Sequence, residues 1–216
     1  DPALTAPPTL EDFFFIRRGW DVPAADFFIQ PEDRAWAFGI QPFHMHPMLP
    51  PPEDVTEHVV EADQWGYPVG EHRNVLLTSH VDEDRLATQD PAFLRYLQSA
   101  NGDTRQESKR PESGLWYSLH VRRPAPILVQ PATADDPGPF RFIVNESEGI
   151  AGPGWITMSP NIGFATPWFI DHDVDWYALV KVLESIPAPD PKPELSPSAV
   201  AALDATAVAD WIATFG

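Results

Sequence analysis

The chain has no cysteine among its 216 residues, so it holds no disulfide, thiolate nucleophile or cysteine-ligated zinc or iron–sulfur cluster. Basic residues are scarce too. Fourteen Lys and Arg, only three of them Lys, stand against 32 Asp and Glu, for a formal net charge of −18. A surface of that sign repels phosphate backbones and anionic headgroups, which predicts that DNA, RNA and membrane surfaces are poor partners. Long apolar runs are also lacking. The uncharged stretch Ile150 to Ile170 contains Pro153, Pro160 and Pro167 with Gly152, Gly154 and Gly163, which exclude a bilayer-spanning helix. Neither an internal repeat nor a Gly-x-Ser-x-Gly nucleophile elbow occurs. Gly149 to Gly154 falls short of a phosphate loop, because no Lys-Ser or Lys-Thr follows and Pro153 removes an amide donor.

What is abundant is proline, 26 residues, and aromatic rings, which make up 12% of the chain. Leu, Ile, Val and Phe together make a quarter of it, above the roughly one-fifth below which a highly charged chain stays disordered. The length suits one medium domain with a real core and many loops.

Residues 1–73 show little helical period and many rings, among them Trp20, Phe27 and Phe28, separated by prolines. This pattern predicts an extended segment that pins itself by ring burial, on its own core or on a partner. Residues 74–186 read as an α+β core. Asn74 to Val81 is a strand candidate. Asp90 at an N-cap, Pro91 at the first helical position, an apolar stripe of Phe93, Leu94 and Leu97, and Asn101-Gly102 as a stop predict a short helix. Leu115 to Val121, Ile127 to Gln130 and Phe140 to Asn145 are β-rich runs between turn signals and predict an antiparallel sheet, with Trp155 to Met158 and Ile162 to Ala165 as further strands. Asp173 is placed to cap a helix carrying Trp176, Leu179, Val180 and Leu183. Residues 187–216 open with a proline-rich spacer and close with a helix capped by Ser196 and bearing Val208, Trp211, Ile212 and Phe215. The fold expected is α+β: a small antiparallel sheet, two or three short helices, an aromatic N-terminal segment and a proline-tethered terminal helix.

Three histidine groupings could carry chemistry. His80, Asp82 and His120 supply the residue types of a facial triad for Fe(II) or another divalent metal. His44 and His46, with Glu53, Glu57 and His72 downstream, resemble a cupin-like ligand set, although the intervening prolines interrupt the strand such a site needs. Asp171, His172, Asp173 and Asp175 could hold a hard cation, but helix capping accounts for the cluster. Between Arg95 and Arg123 lies a basic island that includes Arg105, Arg122 and Arg123, suited to docking on an acidic surface. The function expected is non-catalytic: binding or assembly with a protein partner or a second copy, through Trp20, Phe27, Phe28, Trp211, Ile212 and Phe215. A metal-dependent enzyme and an acidic decoy of a nucleic-acid-binding protein are the alternatives.

Overall fold

The computed structural model describes residues 7–108, 114–133, 136, 138–161, 174–189 and 192–214. It is an α+β fold with a five-stranded sheet, a three-stranded sheet and nine α-helices among the described residues.

The larger sheet is built from β1 (Phe14–Arg18), β4 (Val59–Val60), β6 (Ile127–Pro131), β7 (Phe140–Asn145) and β8 (Ile156–Pro160), in the spatial order β1-β8-β6-β7-β4. All its pairings are antiparallel except β4 on β7. Alternation along the strands builds two cores, since successive side chains point to opposite faces. Ile127, Val129, Phe140, Phe142, Val144, Ile156 and Met158 enter the first core, which is closed by α7 (Trp176–Glu184), α8 (Pro197–Ala201) and α9 (Thr206–Ala213). The short helix α1 (Leu10–Phe13) leads into β1 and adds Leu10 and Phe13 to the same core. On the opposite face, Leu128 and Ile143 pack with Leu49, Val55, Val60 and Trp155. Both faces are therefore buried, which explains why β7 is buried at all six positions.

The smaller sheet joins β2 (Ile29–Pro31), β3 (Met45–Met48) and β5 (Asn74–Leu77) in the order β2-β5-β3. Helices α2 (Ala25–Phe28), α3 (Glu32–Phe38), α4 (Glu83–Gln89) and α5 (Pro91–Gln98) pack with it around Phe28, Leu76, Leu86, Phe93, Leu97 and Tyr117. Residues 14 to 60 thus supply strands to both sheets. The two halves are stitched where Gly19 N donates to Trp155 O at 2.8 Å and Trp20 N to Ala151 O at 2.7 Å.

Two of the predicted caps are present. Asp90 accepts from Phe93 N at 2.9 Å to start α5, and Ser196 accepts from Ala199 N at 3.1 Å to start α8. Asn101-Gly102 is not the expected stop: α5 ends at Gln98 with Ser99 in right-handed backbone, and Asn101 Oδ1 instead accepts from Thr104 N at 2.8 Å at the start of α6 (Gly102–Ser108). Asp175 caps α7, accepting from Ala178 N at 2.9 Å; the expected cap Asp173 and the strand at 162–165 lie outside the described residues. The single terminal helix expected after Ser196 is two, α8 and α9, with Asp204 accepting from Thr206 N at the turn between them.

Residues 115–121 are not a strand. They are a loop wound on the Thr78 hydroxyl, which donates to Tyr117 O at 2.9 Å and accepts from Leu119 N at 2.8 Å. One side chain satisfies two backbone groups that a ladder would otherwise pair. Among the described residues no helix is long and apolar enough to cross a membrane.

Candidate functional site

The strand β1 is an edge of the five-stranded sheet, and its last two residues are Arg17 and Arg18. More than a hundred residues later, the loop leading to β6 carries Arg122 and Arg123. The fold brings these two dipeptides to one place. Arg122 Nη1 donates to Arg18 O at 3.0 Å, and its guanidinium lies 6.0 Å from the Trp20 ring centre. Arg17, Arg122 and Arg123 line one shallow notch with Gly19, Ile150, Ala151 and Thr157, and among the described residues no carboxylate is in its wall. The notch holds about 10 Å³, so it encloses no ligand; it is a surface on which guanidinium groups converge.

Among the described residues, Arg17, Arg18 and Arg123 form no ion pair, whereas Arg73 is held by Asp63 at 2.8 Å and Arg85 by Asp82 at 3.5 Å. Arg17 lies 5.4 Å from the centre of the Phe15 ring, as expected for residues two apart on one strand face. That ring is 55% exposed on the edge strand. The chemistry is therefore a cluster of fixed cations beside an open aromatic face. Guanidinium forks match phosphate oxygens, and aromatic faces take flat bases.

At the sheet's other edge, beyond β4, lies a groove of about 800 Å³ between residues 54–61 and 68–72. Asp54, Glu57, Glu61 and Glu71 line it with His58 and His72, and among the described residues no Lys or Arg does. The two edges of one sheet thus carry opposite charge.

The residues expected from sequence to form a site are placed otherwise. His80 turns Nδ1 to Ser118 Oγ at 2.6 Å; Asp82 caps α4 by accepting from Arg85 N at 2.9 Å; His120 is exposed. Among the described residues no group of three His, Asp or Glu side chains gathers in a way that could hold a metal ion, so His80, Asp82 and His120 do not form the facial triad. His44 is buried in the smaller core and His46 is half-buried on β3, while His72 and Glu57 line the acidic groove. Burial, reinforced by His80, holds the His46 imidazole below its ordinary range. Asp171, His172 and Asp173 lie outside the described residues.

Among the described residues, the rings expected to bind a partner are buried or partly buried on the chain's own cores. Trp20 is 4% exposed and Phe28 is fully buried, while Phe27 stacks on Tyr96 with ring centres 4.7 Å apart. Trp211 and Ile212 pack partly buried on the larger core. Phe215 lies outside the described residues. The large rings that are exposed belong to other positions, among them Phe15, Trp36, Phe38, Phe43 and Trp65.

The arginine junction is not legible in the sequence, which shows no proximity across a hundred residues. One signal is present: Arg17-Arg18 and Arg122-Arg123 are the two Arg-Arg dipeptides in an otherwise cation-poor chain. No family model matches the chain.

Proposed function

We propose that this chain is a non-catalytic binding domain whose arginine junction engages the phosphate backbone of a nucleic acid, with Phe15 as an adjoining contact for a base or sugar. The observation that carries this reading is the convergence of Arg17, Arg122 and Arg123 on one notch beside an exposed ring on one sheet edge, with the Arg18 carbonyl holding Arg122. The notch does not enclose a small anion, and a partner carrying several phosphates on an extended frame would meet more than one of its guanidinium groups at once.

The sequence alone predicts the opposite, that nucleic acid is a poor partner; that expectation rests on a net charge of −18, an average over the whole surface that does not fix the potential at one cluster. At physiological ionic strength, charges farther apart than about 8 Å are largely screened from each other. The acidic remainder restricts where a polyanion docks and orients it, rather than preventing contact at the junction. Arginine in place of lysine suits the task, because its fork donates two parallel hydrogen bonds to one phosphate.

The test is fluorescence anisotropy of a labelled 20-base-pair duplex and of its single strand, from 50 to 200 mM salt. Both should be measured with the unmodified chain and with the double variant Arg17→Ala/Arg123→Ala. The expected result is salt-dependent binding whose log–log slope falls by about 2 in the variant, roughly 0.9 for each duplex phosphate no longer neutralised. Absence of binding to either probe at 50 mM salt, or an unchanged slope in the variant, overturns the reading.

A second reading, assembly with another protein chain, rests on Trp36, Phe38 and Phe43, which are 49%, 47% and 61% exposed on α3 and the turn that follows it. It predicts a concentration-dependent solution mass, or partner binding, that Trp36→Ser/Phe43→Ser abolishes while leaving nucleic-acid binding intact.

A further inference from the structure

The acidic groove lies along β4, an edge of the sheet with no further strand paired to it among the described residues. Strand β4 runs parallel to β7, and Val144 N donates to His58 O at 3.0 Å while Glu146 N donates to Val60 O at 3.0 Å. In a parallel ladder the residue between two bonded positions turns its own N–H and C=O to the other side. That residue is Val59, and it lines the groove. Further along, the same segment forms a short antiparallel arm, with Val69 N donating to Glu61 O at 2.9 Å and Asp63 N to Tyr67 O at 2.8 Å. Beyond Val69 the arms part. Gly70 has nothing near the position a side chain would take, and residues 70–72 form the opposite wall of the groove.

We infer that this groove takes an extended, basic peptide segment of another chain, added as a strand against Val59 between the diverging arms. Edge strands offer main-chain hydrogen bonds to an incoming strand, and side chains along the walls decide which sequence is accepted. Here the walls carry Asp54, Glu57, Glu61 and Glu71, all exposed, so the side chains accepted are Lys and Arg. His58 Nδ1 lies 3.1 Å from Glu184 Oε1, and His72 is the other imidazole of the lining, so four carboxylates face two imidazoles there. The floor is apolar, with Val55, Val60 and Pro68 buried, which suits the alternate side chains of an extended strand. The inference is independent of the nucleic-acid reading, which concerns the opposite edge of the sheet.

The experiment uses the full chain and three labelled octapeptides. One alternates Arg with Val or Thr, one replaces each Arg by Glu, and one is the basic peptide N-methylated at alternate residues to remove pairing amides on one edge. N-methylation is placed in both alternate registers. Titration calorimetry should show binding of the basic peptide, none of the acidic one, and at least about fivefold weaker binding in one N-methylated register. The double variant Glu57→Gln/Glu61→Gln should weaken the basic peptide about tenfold, while Glu194→Gln/Asp210→Asn, which removes two carboxylates outside the groove, should leave it unchanged.

Equal losses in the two variants, or no loss in either N-methylated register, overturn the inference, since the attraction would then be diffuse charge alone. So does self-association of the chain that Glu57→Gln/Glu61→Gln abolishes, because the occupant would then be a second copy.

Discussion

His44 lays its imidazole on the Phe93 ring, with centres 4.5 Å apart and planes 23° from parallel, and holds Nε2 3.8 Å from Asp90 Oδ2. The side chain is 2% exposed, and at 3.8 Å the carboxylate is too far for a hydrogen bond. Burial pushes this imidazole below its ordinary range, outweighing the opposing pull of Asp90 and of the Thr78 backbone. His46 is shifted the same way. A base with a lowered folded pKa is protonated first in the unfolded chain, so its stabilising contribution is present above about pH 6.5 and is lost as pH falls towards the folded value. Urea midpoints should therefore drop between pH 7.5 and 5.5. The drop should shrink in His44→Gln/His46→Gln, measured against that variant's own midpoint at pH 7.5. Asp204, held low by the Thr206 hydroxyl and N–H, loses its contribution only in the window below about pH 4, which keeps the two effects apart.

Gly19 lies against backbone. A Cβ at this position would stand 1.9 Å from Gly152 O, and no rotamer can move a peptide oxygen aside. Gly19→Ala should cost at least about 2 kcal/mol, by separating the segments that Gly19 and Trp20 join. Chemical denaturation measures the loss. Because the Arg junction sits at the same seam, nucleic-acid affinity should fall with it.

Arg141 is a cation inside the fold, 7% exposed on a strand whose neighbours are apolar. Its guanidinium donates to Val55 O at 3.1 Å, to Thr56 O and to Gln130 Oε1 at 3.3 Å, and so ties the wall of the acidic groove to the sheet. Arg141→Met keeps the bulk and strands the acceptors. The expected cost is about 2–4 kcal/mol, and hydrogen exchange should quicken in residues 55–61 more than in α7.

The terminal helices are structural members of the larger core. Val200, Ala205 and Val208 are fully buried and Leu203 is 4% exposed; Leu10 N donates to Leu203 O at 3.1 Å and Ala205 N to Pro8 O at 2.8 Å. Leu203→Ala should cost about 2–5 kcal/mol in urea unfolding. Removing residues 187–216 should leave a chain that binds a hydrophobic dye and aggregates, because it uncovers the sheet face packed by α8 and α9.

The local half of this architecture is written in the residues themselves. Asp90 with Pro91 and Ser196 with Pro197 start helices because capping needs only a side-chain oxygen and an amide three residues on. The alternation of Phe140, Phe142 and Val144 with Ile143 places them on opposite faces of β7 because a strand reverses its side chains at every step. Composition likewise rules out disulfides and cysteine-ligated metals. Tertiary structure alone decided the rest. The β-rich run around Tyr117 became a loop because a distant hydroxyl, that of Thr78, satisfies its backbone in place of a ladder, and the rings of Trp20 and Phe28 turned inward because a core was there to receive them. The gathering of Arg17 with Arg123 at one edge of the sheet, and of Glu57 with Glu71 at the other, follows from strand order, which long-range packing sets and no local hydrogen bond records.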